Sequence, residues 1–274
     1  IITRVVLKLY PRHNHQRTFF AALAELEDVH ELYDRACALD HAGLTAFELV
    51  PEAGLAGTIK SFGVARPIAT HSDWYLLGRF SGTSPVDDAA EAFLSDATNA
   101  GLLLDAVMAG TTAQEQNLWI LREELPPETL FDAKGAKFDV AVPIDRVAEY
   151  QRAVEALIQD LCGGGAVVYS FGHLGDGNLH LYVISSLERG SRMEPGLIDE
   201  IQGSVDRLTW DMGGTVSAEH GVGQELLERV AGQKSAVELE MMRRVKAALD
   251  PNDLFNPGRG AHCVPVADAG EVER

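Results

Sequence analysis

The chain has 274 residues, 46% of them hydrophobic and 23% charged, and its 41 Asp and Glu against 23 Lys and Arg give a formal net charge of −18. That length and composition suit one large or two small soluble globular domains with a sizeable core, and exclude a disordered or fibrous chain. So acidic a surface repels phosphate backbones and anionic lipids, which excludes nucleic acid as a partner and predicts local positive charge wherever an anion binds.

The chain opens at Ile1 without an initiator Met or a signal-peptide layout. Alternation over Arg4–Tyr10 predicts a strand ended by Pro11, entered as though polypeptide preceded it. Phe19–Leu39 has helical spacing, read as one helix or two short ones, with Gly43 as a stop and Thr45–Val50 as a strand. Trp74–Phe80 reads as a strand, Val86–Ala100 as a helix introduced by Ser84 and Pro85, and Leu103–Ala109 as a strand. Lys137–Val142 is a short strand closed by Pro143. Ile144–Leu161 is a helix carrying Val147, Tyr150, Val154, Leu157 and Leu161 at helical spacing, broken by Gly163-Gly164-Gly165. Ala166–Phe171 and Asn178–Ile184 are apolar strands joined by a glycine-rich turn. Leu197–Met212 is a helix ended by Gly213-Gly214, and Ala236–Leu249 a last helix stopping before Asp250-Pro251.

Strands separated by helices, with a hairpin among them, predict an α+β fold: a mixed, mostly antiparallel sheet flanked by helices, with a helical C-terminal part. A TIM barrel needs eight strand–helix units, which the sequence does not offer. No GxGxxG follows the early strands, so a nicotinamide-binding Rossmann fold has no support. Cys37, Cys162 and Cys263 are odd in number and lack CxxC spacing, which argues against a disulfide framework or thiolate zinc site and for a reducing, cytoplasmic compartment. No apolar run approaches the roughly 18 residues of a membrane span.

The strongest chemical signal is Phe171-Gly172-His173-Leu174-Gly175-Asp176-Gly177-Asn178-Leu179-His180. Glycines permit positive φ and close backbone approach, so the two flanking strands can bring both imidazoles to one point. Neutral imidazoles ligate zinc or a similar divalent metal. The run Ser217-Ala218-Glu219-His220-Gly221-Val222-Gly223 adds a carboxylate at Glu219 for a His-His-Glu set with an open position, and leaves His220 free to act as a base. On the residues alone, His173 and His180 read equally as hydrogen-bonded strand-end histidines and Glu219 as a surface carboxylate. A metal-assisted hydrolase and a non-catalytic binding or oligomerisation module therefore stay open.

These two runs, with the tail Leu249-Asp250-Pro251-Asn252-Asp253-Leu254-Phe255-Asn256-Pro257-Gly258, resemble the C-terminal domain of FAD-linked oxidases. This is the branch of the vanillyl-alcohol-oxidase superfamily that includes D-lactate dehydrogenase, the glycolate oxidase flavin subunit and D-2-hydroxyglutarate dehydrogenase. The resemblance covers nearly the whole chain, and Ile1–Arg12 resembles the start of that domain. It implies that residues 1–274 form a substrate- and metal-binding cap domain whose FAD is held mostly by an N-terminal domain of the same polypeptide. It implies a small anionic 2-hydroxy acid as substrate and a downstream electron acceptor, peripheral membrane association through that acceptor and a homodimer both being compatible. His173, His180 and Glu219 resemble the family's metal ligands, with zinc the expected ion, and His220 its base. Leu118–Glu123 resembles a helix bearing a substrate-binding arginine, Arg122, and Lys137–Pro143 a strand bearing a substrate-binding lysine, Lys137. Asn178 matches a position that holds the turn or touches substrate, and Asn256 lies in a tail that approaches the flavin. Tyr182 and Pro126 depart from the Asn and Thr that D-2-hydroxyglutarate enzymes carry at these substrate-contacting positions, which puts that substrate in doubt.

Overall fold

The computed structural model describes residues 2–39, 42–125, 135–185 and 193–260; Pro126 and Cys263 therefore lie outside the described residues. Seven strands form one sheet: β1 (His15–Leu23), β2 (Gly43–Pro51), β3 (Trp74–Gly82), β4 (Leu103–Met108), β5 (Ala136–Ala141), β6 (Ala166–His173) and β7 (Asn178–Ser185). Their order is β4-β1-β3-β2-β6-β7-β5, and every strand pairing described is antiparallel. Among the described residues, the two halves of the sheet are laddered together where Glu48 and Leu49 of β2 pair with His173 and Gly172 of β6.

The helices are α1 (Val29–Cys37), α2 (Glu52–Phe62), α3 (Asp87–Asn99), α4 (Thr112–Glu123), α5 (Val147–Cys162), α6 (Pro195–Asp211), α7 (Leu227–Gln233) and α8 (Ala236–Leu249). One face of the sheet carries the larger core, in which Phe19, Leu49, Phe80 and Leu181 meet Phe93 of α3, Tyr150 and Val154 of α5 and Val205 of α6. The other face packs Phe20, Val50, Tyr75 and Leu77 against Leu55 of α2 and Leu118 and Leu121 of α4. This satisfies the expected α+β architecture with a helical C-terminal part. Among the described residues, no helix is long and apolar enough to cross a membrane.

Two expectations need correction. Phe19–Leu23 is not helical but completes β1, and the helix of that region covers only Val29–Cys37. The cause is burial on both faces: Phe19, Ala21 and Leu23 enter one core and Phe20 and Ala22 the other. A doubly buried strand reads as a continuous apolar run, which periodicity alone does not separate from helix. Arg4–Tyr10 is not a strand; it has no ladder partner, and Val5, Val6, Leu7, Leu9 and Tyr10 are exposed. The sequence reading also passed over α2 and α7.

Candidate functional site

The site lies on the sheet face covered by α2 and α4, at the end where β2 hands over to β6, β7 and β5. Antiparallel register explains the gathering. Phe171 of β6 faces His180 of β7, which faces Asp139 of β5, while Glu48 of β2 faces His173 of β6. Side chains alternate along a strand, so Tyr182 and Lys137, the next register pair, fall on the same face. The connection between β6 and β7 closes through Gly177 at φ 65, where a Cβ would overlap the carbonyl oxygen of Val142. Only glycine serves there, and the turn returns His180 beside His173, ring centroids 5.6 Å apart.

Residues 214–226 carry Glu219 and His220 to this face. Glu219 stands between the two imidazoles: its Oε2 is 3.7 Å from Nε2 of His173 and its Oε1 is 3.2 Å from Nε2 of His180. His220 stacks on His180 at 5.6 Å with 12° between ring planes, and its Nε2 is 3.7 Å from Glu219 Oε1. Two ligand atoms bound at about 2.1 Å to one tetrahedral ion stand about 3.4 Å apart. The His180–Glu219 separation of 3.2 Å is close to that value, and the His173–Glu219 separation of 3.7 Å, made by the other carboxylate oxygen, is somewhat longer; the donors are the imidazole and carboxylate that suit zinc.

Behind these groups lie two carboxylates that the sequence reading missed. Glu48 is buried; it accepts from Arg122 Nε at 2.9 Å and from His173 Nδ1 at 3.0 Å. A carboxylate beside a guanidinium can only accept, so Nδ1 of His173 carries the proton and the Nε2 lone pair is left facing Glu219. The hydrogen bond to Glu48 raises the pKa of His173 above the ordinary histidine value, against the opposing effect of burial. Burial, then the positive charge of Arg122, pushes His180 the other way, toward the neutral ring that a metal requires. Asp139 is also buried, and accepts backbone N–H bonds from Glu219 and His220, each at 2.9 Å, and a side-chain bond from Asn178 at 2.8 Å. Burial alone would raise its pKa; the bonds from His220, Glu219 and Asn178 outweigh it and hold Asp139 below the usual value. Donor atoms of Asp139, His180, Glu219 and His220 lie within 4.8 Å of one another, a group that includes His220 and leaves out the expected ligand His173; both Asp139 oxygens already accept N–H groups. Each of the two missed residues interrupts an apolar strand, Phe47-Glu48-Leu49 and Phe138-Asp139-Val140, and that interruption was the available signal.

The remaining candidates divide. Lys137, His180, Tyr182 and His220 line one cavity of about 510 Å³ together with Gly221–Leu226, Arg229 and Arg259. Lys137 lies over the Tyr182 ring at 5.4 Å, and Phe171 stacks on that ring at 5.9 Å. Arg122 does not line this cavity. It is 7% exposed, lies 5.1 Å over Phe171, and its Nη2 is buried without a hydrogen-bond partner. Asn178 is buried and holds Asp139 and the Val140 carbonyl. Asn256 is exposed in the tail at φ 51, outside the residues lining the cavity. A larger cavity of about 630 Å³ contains none of these residues. Glu25, Glu27, Glu52, Asp73 and Glu155 rim it, Glu27 and Glu52 being paired with Arg152 and Arg66. So acidic a rim opposes an anionic ligand.

Comparison with known proteins agrees with this architecture. The family described as FAD linked oxidases, C-terminal domain, matches residues 12–259. D-2-hydroxyglutarate dehydrogenase of Stutzerimonas stutzeri (strain A1501) is 32% identical over 223 residues, 80% of this chain and 47% of that protein. Mitochondrial D-2-hydroxyglutarate dehydrogenase of Bos taurus is 29% identical over 259 residues, 94% of this chain and 46% of that protein. The chain thus spans about half the length of the curated relatives it matches. Among solved structures, substrate-bound p-cresol methylhydroxylase superimposes with a TM-score of 0.57 at 15% identity, covering 92% of this chain and 53% of that one. The isoeugenol complex of 4-ethylphenol oxidase from Gulosibacter chungangensis gives a TM-score of 0.56 at 15% identity, covering 92% and 55%. These two share the fold, and with the family match extending over nearly all of its length, the chain belongs to the FAD linked oxidases, C-terminal domain family.

Proposed function

We propose that the chain is the substrate- and metal-binding part of an FAD-dependent enzyme that oxidises a 2-hydroxy acid to a 2-oxo acid. The observation that carries this reading is that Glu219 reaches both His173 and His180, and that His180 lines a cavity together with His220 and Lys137. His173 Nε2, His180 Nε2 and the Glu219 carboxylate would hold a divalent cation, with zinc matching their chemistry. Such a cation, when bound, acidifies a hydroxyl that touches it. FAD, held mainly by a further domain of the polypeptide, supplies the acceptor for the electron pair. An electron acceptor downstream completes the system.

The chain's own residues do the rest. Lys137 offers its ammonium to the substrate carboxylate within the cavity. Arg122, outside the cavity and paired with Glu48, supplies positive charge behind Phe171 and does not itself contact the substrate. Together they focus positive potential inside a strongly acidic molecule, which otherwise repels its substrate. His220, 65% exposed on its side chain and unencumbered by a helix or strand, takes the hydroxyl proton on a ring nitrogen. Tyr182 shapes the wall against which the rest of the substrate lies.

A panel of 2-hydroxy acids turned over by the full polypeptide with its flavin and an artificial electron acceptor tests the reading. The expected result is oxidation of at least one member, with His220→Gln lowering kcat by about 10²–10⁴-fold while zinc remains bound. Undiminished kcat in His220→Gln would remove the base assignment. Inactivity toward every 2-hydroxy acid, with esterase or amidase activity in its place, would replace the dehydrogenase by a hydrolase.

A further inference from the structure

We propose that Asp139 is a positioning residue, whose carboxylate fastens the backbone of Glu219 and His220 to the sheet so that both side chains face His180. The assignment comes from where the hydrogen bonds of residues 214–220 go. β5 is the edge strand of the sheet, and its free edge is taken by this segment. Ala141 and Thr215 exchange two backbone bonds, at 3.0 and 2.8 Å, and Ala218 N donates to the Asp139 carbonyl at 3.1 Å. The backbone ladder ends there. Glu219 and His220 lie one step beyond it, in neither helix nor strand, with side chains 45% and 65% exposed. Their two N–H groups both donate to a single atom, Oδ2 of Asp139, at 2.9 Å each.

The other side of the carboxylate is fixed as well. Oδ1 accepts from Asn178 Nδ2 at 2.8 Å, and the same amide donates to the Val140 carbonyl at 3.0 Å. Asp139 is 7% exposed, so its rotamer is set by packing and by these bonds together. It is also the register partner of His180 across β5 and β7. One carboxylate therefore ties the loop-borne groups to the strand that presents His180, and their relative placement does not depend on the loop's own stiffness. Oδ2 has both lone pairs committed to two N–H groups, which assigns it to holding the backbone; Oδ1 gives one lone pair to Asn178, and the hold on Glu219 and His220 does not depend on what its other lone pair does. Asn178 acquires its role here too: it orients Asp139.

The effect of Asp139 on a metal rests on the zinc reading of this site; its effect on the backbone does not. Two measurements on the full chain separate them: amide hydrogen exchange of the metal-free protein, and zinc affinity by competition with a chelator. In Asp139→Ala, exchange at Glu219 and His220 is expected to quicken about tenfold or more, the factor lost with a hydrogen bond to a charged group. Exchange at Leu181, buried in β7, stays as it was and certifies the fold. Zinc affinity falls about 10–100-fold, as for other partners that orient metal ligands. Asp139→Asn keeps an acceptor oxygen and shows a smaller change in both. Unchanged exchange at both amides in Asp139→Ala would overturn the proposal. So would equal loss of zinc affinity in the Ala and Asn variants with exchange unaltered, which would make Asp139 a ligand. Failure of the unaltered chain to bind zinc would remove the metal reading, while exchange would still decide for or against Asp139.

Discussion

Glu219→Gln is expected to weaken zinc binding by more than about a hundredfold, since losing a mere outer partner of a ligand already costs about 10–100-fold. The substitution keeps shape and removes charge. Among the described residues, Glu219 is the acidic side chain that approaches the Nε2 atoms of both His173 and His180, at 3.7 and 3.2 Å. Its side chain is 45% exposed and anchors no core. The metal-free protein should therefore keep its stability within about 0.5 kcal/mol, as surface substitutions do. Zinc should raise the thermal transition of the unaltered chain and fail to raise that of Glu219→Gln, because a ligand stabilises only the state that binds it. Competition titration and thermal unfolding with and without zinc read the two effects. Equal zinc affinity in both proteins would remove Glu219 from the site.

Arg122→Met is expected to act on the fold itself, destabilising it by about 3–5 kcal/mol, the range for removing one partner of a buried ion pair. Glu48 and Arg122 side chains are each 8% exposed and 2.9 Å apart. Without the guanidinium, the largely buried Glu48 carboxylate keeps His173 as its polar partner. The cost comes from the stranded carboxylate and not from the worth of the pair. The double variant Arg122→Met/Glu48→Gln should therefore recover most of the loss. Denaturant unfolding with an unchanged slope measures it. A loss in Arg122→Met below about 1 kcal/mol would show that the pair is not buried as described. The same double variant should still bind zinc less well than the unaltered chain, because an amide in place of the Glu48 carboxylate no longer compels His173 to keep its proton on Nδ1.

How far the sequence foretold this depends on which physical signal each part carries. α8 was legible to the residue and α3 and α5 nearly so, because their apolar positions repeat at helical spacing and Gly or Pro marks their ends. β6 and β7 were legible because glycines frame them, and so His173 and His180 could be paired before any coordinates. β1 was not, since burial on both faces erased its alternation. Lys137 and Tyr182 were named through the resemblance; that they share one wall follows from the β5–β7 register, which the sequence alone did not reveal. Glu48 and Asp139 were missed for a different reason. Their roles depend on register between strands far apart in sequence, and a single carboxylate in an apolar run does not announce what it holds. Arg122 was picked out as a residue of the site, but its burial against Glu48 depends on how α4 lies on the sheet, which one sequence does not specify.

The convergence of His173, His180 and Glu219 on one cation is tested most directly by crystals of the zinc-loaded chain measured at the zinc absorption edge. The expected result is one anomalous peak about 2.0–2.2 Å from His173 Nε2, His180 Nε2 and a Glu219 oxygen, with Asp139 still accepting the N–H groups of Glu219 and His220. A peak bound by Asp139 in place of His173, or no peak at this face in crystals grown with zinc, would contradict it.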